Sequence, residues 1–208
     1  MNEFEEGLAH FFTAHQLSAI RQTRIAIAGA GGLGSNVATH LVRSGFRRLL
    51  LIDFDVVSAS NLNRQFYFSA QIGKSKVQAL ADNLLAINPD LELTLHNKTV
   101  TNDNIAALFA EYEIIVEAFD RAESKKMLSE FCLKHTRLLV AASGLGGWGN
   151  TTSIKPHRLR DNFYVVGDLT SEVGVTCPPL SPRVAIAAAT QADLVLSFVL
   201  ENHVAREE

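Results

Sequence analysis

The stretch RIAIAGAGGLGSNVATHLVRSGFRRLLLID, running from Arg24 to Asp53, decides the fold. It reads as strand, glycine turn, helix and strand. Ile25 to Ala28 form a short apolar run, suited to a strand buried on both faces. Gly29-Ala30-Gly31-Gly32-Leu33-Gly34 fits G-x-G-x-x-G. In that pattern Gly29 makes a tight turn, Gly31 lets a phosphate come close to the backbone, and Gly34 lets the helix pack near the strand. A helix from about Ser35 to Ser44 aims its free N–H groups and positive dipole end at such a phosphate, and Gly45 stops it. Leu49 to Ile52 make a second buried strand with Asp53 at its carboxyl end. An acid there, roughly 20 residues beyond the glycines, can hold ribose hydroxyls. The pattern implies a nucleotide site without saying which nucleotide. Taken alone, the glycine loop and Asp53 suit an NAD-dependent oxidoreductase.

The rest of the composition narrows the classes. The chain has 208 residues, a net charge of −3 and 47% hydrophobic residues, enough for one α/β domain with its own core. It has no long basic run, which argues against general nucleic-acid binding. No apolar stretch reads as long enough to span a membrane, because Asp193 interrupts the last one. The acidic start MNEFEEGLAHFF is no signal peptide. Two cysteines, Cys132 and Cys177, make no disulfide scaffold, so a cytoplasmic location is expected. The histidines show no metal-ligand spacing.

The loop after Asp53, FDVVSASNLNRQFYF, is the most informative. It follows the carboxyl end of a parallel strand, where open α/β sheets place their ligands. Local capping accounts for Ser60 or Asn61. It does not account for Arg64, whose fork of donors suits phosphate oxygens and which a dehydrogenase does not need. Lys74 and Lys76 open the next helix, an unfavourable place for lysine unless an anion lies near. Asp120 lies just beyond another buried strand, EIIVE, on the ligand edge of the sheet. It can cap the helix from Ala122 to His135, or hold Mg²⁺ against a triphosphate.

Other elements follow from pattern. Glu3 to Gln22 form a helical lead-in, packed on the domain edge or in a dimer contact. Leu91 to His96 alternate as a half-buried strand, and Asn104 to Phe109 make a short helix. Leu138 to Ala142 form a strand, and Thr151 to Lys155 and Phe163 to Val166 are expected as two late antiparallel strands. The loop 167–182 has the length of a lid. Arg183 to Leu200 form a final apolar helix, and Cys132 reads as core.

Together the glycine loop, LLIDFDVVSASNLNRQ, GKSKV and EAFD resemble the ThiF/MoeB group, the adenylyltransferases related to ubiquitin-activating (E1-like) enzymes. The resemblance runs from about Gln22 to Leu200 and is greatest to compact ThiF-like proteins of thiamine biosynthesis. It implies a Rossmann-like, doubly wound, mostly parallel sheet with antiparallel C-terminal strands, in one domain over residues 1–208. It implies ATP and Mg²⁺ rather than NAD. It further implies adenylation of the C-terminal glycine carboxylate of a small ubiquitin-like sulfur carrier, ThiS-like and ending in Gly-Gly, by a homodimer. By motif position, Asp53 would bind ribose, and Gly29, Gly31, Gly32 and Gly34 would form the phosphate loop. Asn61, Arg64 and Lys76 would contact phosphates, Asp120 would hold Mg²⁺, and Asp55 and Gln65 would have lesser, structural shares. Arg64, Lys76 and Asp120 are the candidate catalytic set.

Departures from the family pattern carry expectations too. The chain lacks the paired C-x-x-C of longer members, so no structural zinc is expected. Its first arginine is Arg21, immediately before the first strand, so the N-terminal arginine that longer members supply is absent or moved. Cys177 lies in the loop where some members carry a reactive thiol. Two further classes remain: a nucleotide-binding partner without catalysis, and E1-like activation of another carboxylate, on a peptide or a modified tRNA.

Overall fold

The computed structural model describes residues 2–204. Helices α1 (Glu3–Leu8) and α2 (Ala14–Gln22) lead into strand β1 (Arg24–Ala28). Helix α3 (Gly32–Arg43) and β2 (Arg48–Ile52) complete the first unit. Next come α4 (Lys76–Leu85), β3 (Glu92–His96), α5 (Ile105–Phe109) and β4 (Ile114–Glu117). The chain ends with α6 (Ala122–His135), β5 (Leu138–Ala142), β6 (Lys155–Arg160), β7 (Phe163–Gly167) and α7 (Ser181–Val204).

The strands form one seven-stranded sheet in the order β3-β2-β1-β4-β5-β7-β6. All neighbours are parallel except β6, which runs antiparallel to β7. The chain order reverses between β1 and β4. That is the switch point at which open α/β sheets form a crevice beyond their strand ends. Alternation along the strands divides the interior. Ile25, Ile27, Leu49, Leu51, Val116 and Val140 belong to one core, with side chains of α3, α4 and α7. Ala26, Leu50, Ile52, Ile115 and Leu139 belong to the other, with α5 and α6. Both sheet edges carry charge. Lys155, Pro156, Arg158 and Arg160 are exposed on β6, as is Glu92 on β3.

Several boundaries differ from the sequence reading. The lead-in is two helices, separated because Thr13 caps α2 in a reciprocal box with Gln16. Helix α3 starts at Gly32, so the glycine turn is already part of its first turn. Helix α4 starts at Lys76, leaving Lys74 outside it. Thr151–Ser153 form a 3₁₀ turn instead of a strand, and β6 begins only at Lys155. The reason is local: Gly149 and Asn150 have left-handed backbones (φ 69° and 40°), which turn the chain just before Thr151. The two late strands pair antiparallel with each other as expected, and β7 also runs parallel to β5.

The last helix is also longer than expected, and Asp193 does not shorten it. By length and composition Ser181–Asn202 could cross a membrane, which corrects the sequence reading. Its Val184, Ala187, Ala188, Gln191, Ala192, Val195 and Val199 are buried in the fold, and a buried core helix meets the same two criteria.

Candidate functional site

The glycine loop lies at the switch point, and two of its glycines leave no room for a side chain. Gly29 has φ 104°, and a Cβ on it would lie 2.6 Å from the Ala118 carbonyl oxygen beyond β4. A Cβ on Gly34 would collide with the Gly29 carbonyl, so α3 could not come so close to β1. Gly31 precedes α3 without a side-chain cap, which leaves the N–H groups of the helix's first turn open to a ligand. Nothing blocks the approach, since the nearest atom to a Cβ on Gly31 would be Gln65 Nε2 at 4.0 Å.

Side chains from two motifs clamp this loop. Asp53 Oδ2 accepts the Ala30 N–H at 2.7 Å, and Asp53 Oδ1 accepts the Asp55 N–H at 2.9 Å. Tyr67 Oη lies 2.7 Å from the Ala30 carbonyl and 3.3 Å from that of Lys76. Burial, with Asp53 and Asp55 nearby, raises the Tyr67 pKa and keeps the hydroxyl a donor. Both polar groups of the Ala30 peptide are therefore already bonded. Each Asp53 oxygen keeps a lone pair for a hydroxyl.

Arg64 lies across the start of α3, with its Cγ and Cδ 3.5 and 3.6 Å from a Cβ on Gly32. Asn36 Nδ2 holds the Arg64 carbonyl at 2.8 Å. Its guanidinium donates to Ser60 O at 3.1 Å and Asn63 Oδ1 at 2.7 Å, both exposed bonds. Partial burial lowers its pKa, but a guanidinium remains charged at neutral pH. Gln65 is buried and its Oε1 has no partner. Asn61 behaves as the local cap, its Oδ1 accepting the Ser58 N–H at 3.0 Å. Lys76 is 6% exposed, and its ammonium donates to Asp55 Oδ2 at 2.7 Å.

Asp120 is exposed in the turn between β4 and α6. It does not cap the helix, because Arg121 is the cap residue and no side chain bonds there. The turn is fixed by Glu117, a buried acid that sequence reading passed over. The one signal for it is a charge at the end of an otherwise apolar strand. Tyr67 was hidden between Phe66 and Phe68, where an aromatic reads as core.

The structure thus gathers Gly29 to Gly34, Asp53, Arg64 and Gln65 at one loop. Asp55 and Lys76 join through Tyr67, and the Asp120 turn joins through Ala118. Cys177 sits elsewhere. It lines a cleft of about 580 Å³ with Trp148, Lys155, His157, Asp168 and Arg183. Its Sγ would be 2.8 Å from a Cβ on Gly146. Asp168 accepts from Ser171, Thr170 and Arg183, and Arg183 also donates to the Gly149 carbonyl at 3.0 Å. Asn63 Nδ2 donates to Pro179 O at 3.2 Å, linking this loop to the phosphate-side loop. Cys132 is buried, and burial, with a contribution from Glu117, pushes its thiol up to about 12.

Arg21 pairs with Glu5 at 3.5 Å, at the amino-terminal end of the sheet and away from the glycine loop. A second cavity, about 330 Å³, lies at that far end beside Arg24, Glu113 and Arg137. Ligands of such sheets bind at the other end. Among the described residues no three His, Cys, Asp or Glu side chains gather as a metal site. Magnesium does not need such a cluster, since one carboxylate with phosphate oxygens suffices. Asp120, exposed and without a side-chain partner among the described residues, offers one such carboxylate.

Comparison with known proteins bears on the family and the fold. The ThiF family pattern matches residues 5–207. The chain is 29% identical over 189 residues to tRNA threonylcarbamoyladenosine dehydratase of Escherichia coli (strain K12), covering 82% of this chain and 70% of that protein. It is 30% identical over 178 residues to molybdopterin-synthase adenylyltransferase of the same organism, covering 84% and 72%. The crystal structure of the E. coli dehydratase in complex with ATP superposes with a TM-score of 0.83 at 24% identity, over 97% of this chain and 94% of that one. At that identity the superposition establishes the Rossmann-like fold.

Proposed function

Because the chain belongs to the ThiF family of E1-like adenylyltransferases, we propose that it binds MgATP at the glycine loop and joins AMP to a substrate carboxylate. The observation that carries this reading is the clamped Ala30 peptide, with Arg64 across the helix start and Lys76 one contact away. Residues 1–208 act as one adenylation domain.

Asp53 accepts the ribose hydroxyls with its free lone pairs. The N–H groups at the start of α3, the Asn61 amide, Arg64 and Lys76 face the phosphates. Lys76 leaves Asp55 to do so, and Gln65 offers its unpaired oxygen to the bound ligand. A carboxylate oxygen attacks the α-phosphorus, the bond to the β-phosphate oxygen breaks, and pyrophosphate departs. No general base is required, because the nucleophile is ionised at pH 7. Arg64, Lys76 and the helix end offset the repulsion between two anions and steady the leaving charge. Magnesium on Asp120, when bound, adds charge neutralisation at the phosphates.

The substrate read from the motifs is the C-terminal Gly-Gly of a ThiS-like sulfur carrier, in a cytoplasmic homodimer serving thiamine biosynthesis, with Cys177 a candidate thiol for the activated carrier. A second reading has a specific observation behind it: the 29% identity over 189 residues to tRNA threonylcarbamoyladenosine dehydratase. In that reading the substrate carboxylate belongs to threonylcarbamoyladenosine of tRNA.

Carboxylate-dependent ATP–pyrophosphate exchange tests the proposal, run with Gly-Gly carriers and with modified tRNA. Exchange is expected with one of them and near-complete loss in Arg64→Ala and Asp120→Ala, both still folded by circular dichroism. ATP binding without exchange on either substrate would favour a partner without catalysis, and binding of NAD in place of ATP would favour the oxidoreductase.

A further inference from the structure

Glu117 is the last residue of β4 and is 1% exposed. Its Oε1 accepts the Phe119 N–H at 2.7 Å, and both its oxygens accept from Lys125 Nζ, at 2.9 and 3.2 Å. Lys125, on α6, also donates to the Ala142 carbonyl at the end of β5, at 3.2 Å. One ion pair thus joins β4, β5 and α6 under the switch point. The residues it folds over are Ala118, Phe119 and Asp120. Ala118 continues the β1 ladder through its N–H to Ala28 O at 2.9 Å, and its carbonyl faces Gly29.

We propose that Glu117 is a positioning residue: its carboxylate, fixed by Lys125, holds the Phe119 amide and so sets the turn that walls the glycine loop and presents Asp120. The acid at the end of β4 works through a backbone N–H and touches neither nucleotide nor metal. Burial opposes its charged form and raises its pKa. Lys125 and the Phe119 N–H act in the other direction, so the charge depends on this pairing. The Asp120 part of the argument rests on the proposed function. The turn itself does not.

Two double variants separate positioning from folding. Glu117→Leu/Lys125→Met removes both charges and the acceptor of the Phe119 amide. Glu117→Gln/Lys125→Met removes the same charges and keeps an acceptor oxygen. Replacing both partners of a buried pair spares stability better than leaving one charge alone. Cooperative thermal unfolding of both variants provides the control.

The first readout is hydrogen exchange at residues 118–121 without ligand. Faster exchange is expected in the Leu/Met variant and protection close to wild type in the Gln/Met variant. The second is ATP affinity with and without Mg²⁺. Outer-shell partners of a metal site are worth roughly 10–100-fold, so the Mg²⁺-dependent part should fall about tenfold in the Leu/Met variant alone. Wild-type exchange at residues 118–121 in the Leu/Met variant would overturn the proposal, whatever the protein does with ATP. Loss of the Mg²⁺ effect in Asp120→Ala but not in the Leu/Met variant would overturn it and leave the proposed function standing. Absence of ATP binding in the wild type would count against the function, while the exchange result would still decide the role of Glu117.

Discussion

A lysine that is 6% exposed and held by one carboxylate is a poor surface residue and a good reserve of charge. Asp55 is the less buried partner, its side chain 48% exposed against 7% for Lys76. The two substitutions should therefore differ. Lys76→Met returns Asp55 to water, so the melting temperature should barely move, while pyrophosphate exchange falls about 10–100-fold through loss of one charged hydrogen bond. Asp55→Asn leaves a buried ammonium without its counter-charge and should cost about 1–3 kcal/mol in denaturant unfolding. The sequence singled out Arg64 because its charge lacks a local explanation, and Lys76 through the GKSKV match to the family. It offered only a charge ending an apolar strand for Glu117 and nothing for Tyr67, since the tasks of both depend on backbone groups brought near by folding.

Helix α3 and the loop 168–180 test the same idea one level up. A methyl on Gly34 meets the Gly29 carbonyl, so Gly34→Ala should push α3 off β1 and cost about 1–3 kcal/mol, read by thermal unfolding. ATP affinity should fall with it, because the helix start moves. The loop depends on Asp168. Although burial works against its charge, the hydrogen bonds from Ser171, Thr170 and Arg183 hold its carboxyl below the usual carboxylate range. A lowered folded pKa stabilises above the unfolded value, about 3.9, and that stabilisation is lost only as pH falls through the lower folded value. Trp148, the chain's one tryptophan, shares the cleft with Asp168 and reports on it. Its emission should hold steady from pH 7 to about 4 and shift below that, whereas Asp168→Asn should shift it already at pH 7. The short apolar runs that became β1, β2, β4 and β5 were legible in the sequence. The start of β6 was not, because a left-handed turn and pairing with β7 overrode the strand preference of Thr151 and Thr152.

At the scale of the whole molecule, the two ends of the sheet have separate tasks. Glu5 is buried, pairs with the half-buried Arg21 and Arg47, and clamps α1 to the body at the amino-terminal end. Glu5→Ala should lower stability by about 1–3 kcal/mol and leave ATP affinity unchanged, a pairing that calorimetry of the free and nucleotide-bound protein would check. The doubly wound class was readable because alternating strand and helix patterns admit few other layers. The strand order was not, because it depends on crossovers whose partners lie far apart along the chain. The outer strands have a consequence for a concentrated solution. Pro156 has no N–H to offer a neighbour, and an antiparallel copy centred on β6 would set Lys155 against Arg160. With Glu92 adding a charge at the opposite margin, both margins of the described sheet resist the zipping of identical chains into fibrils.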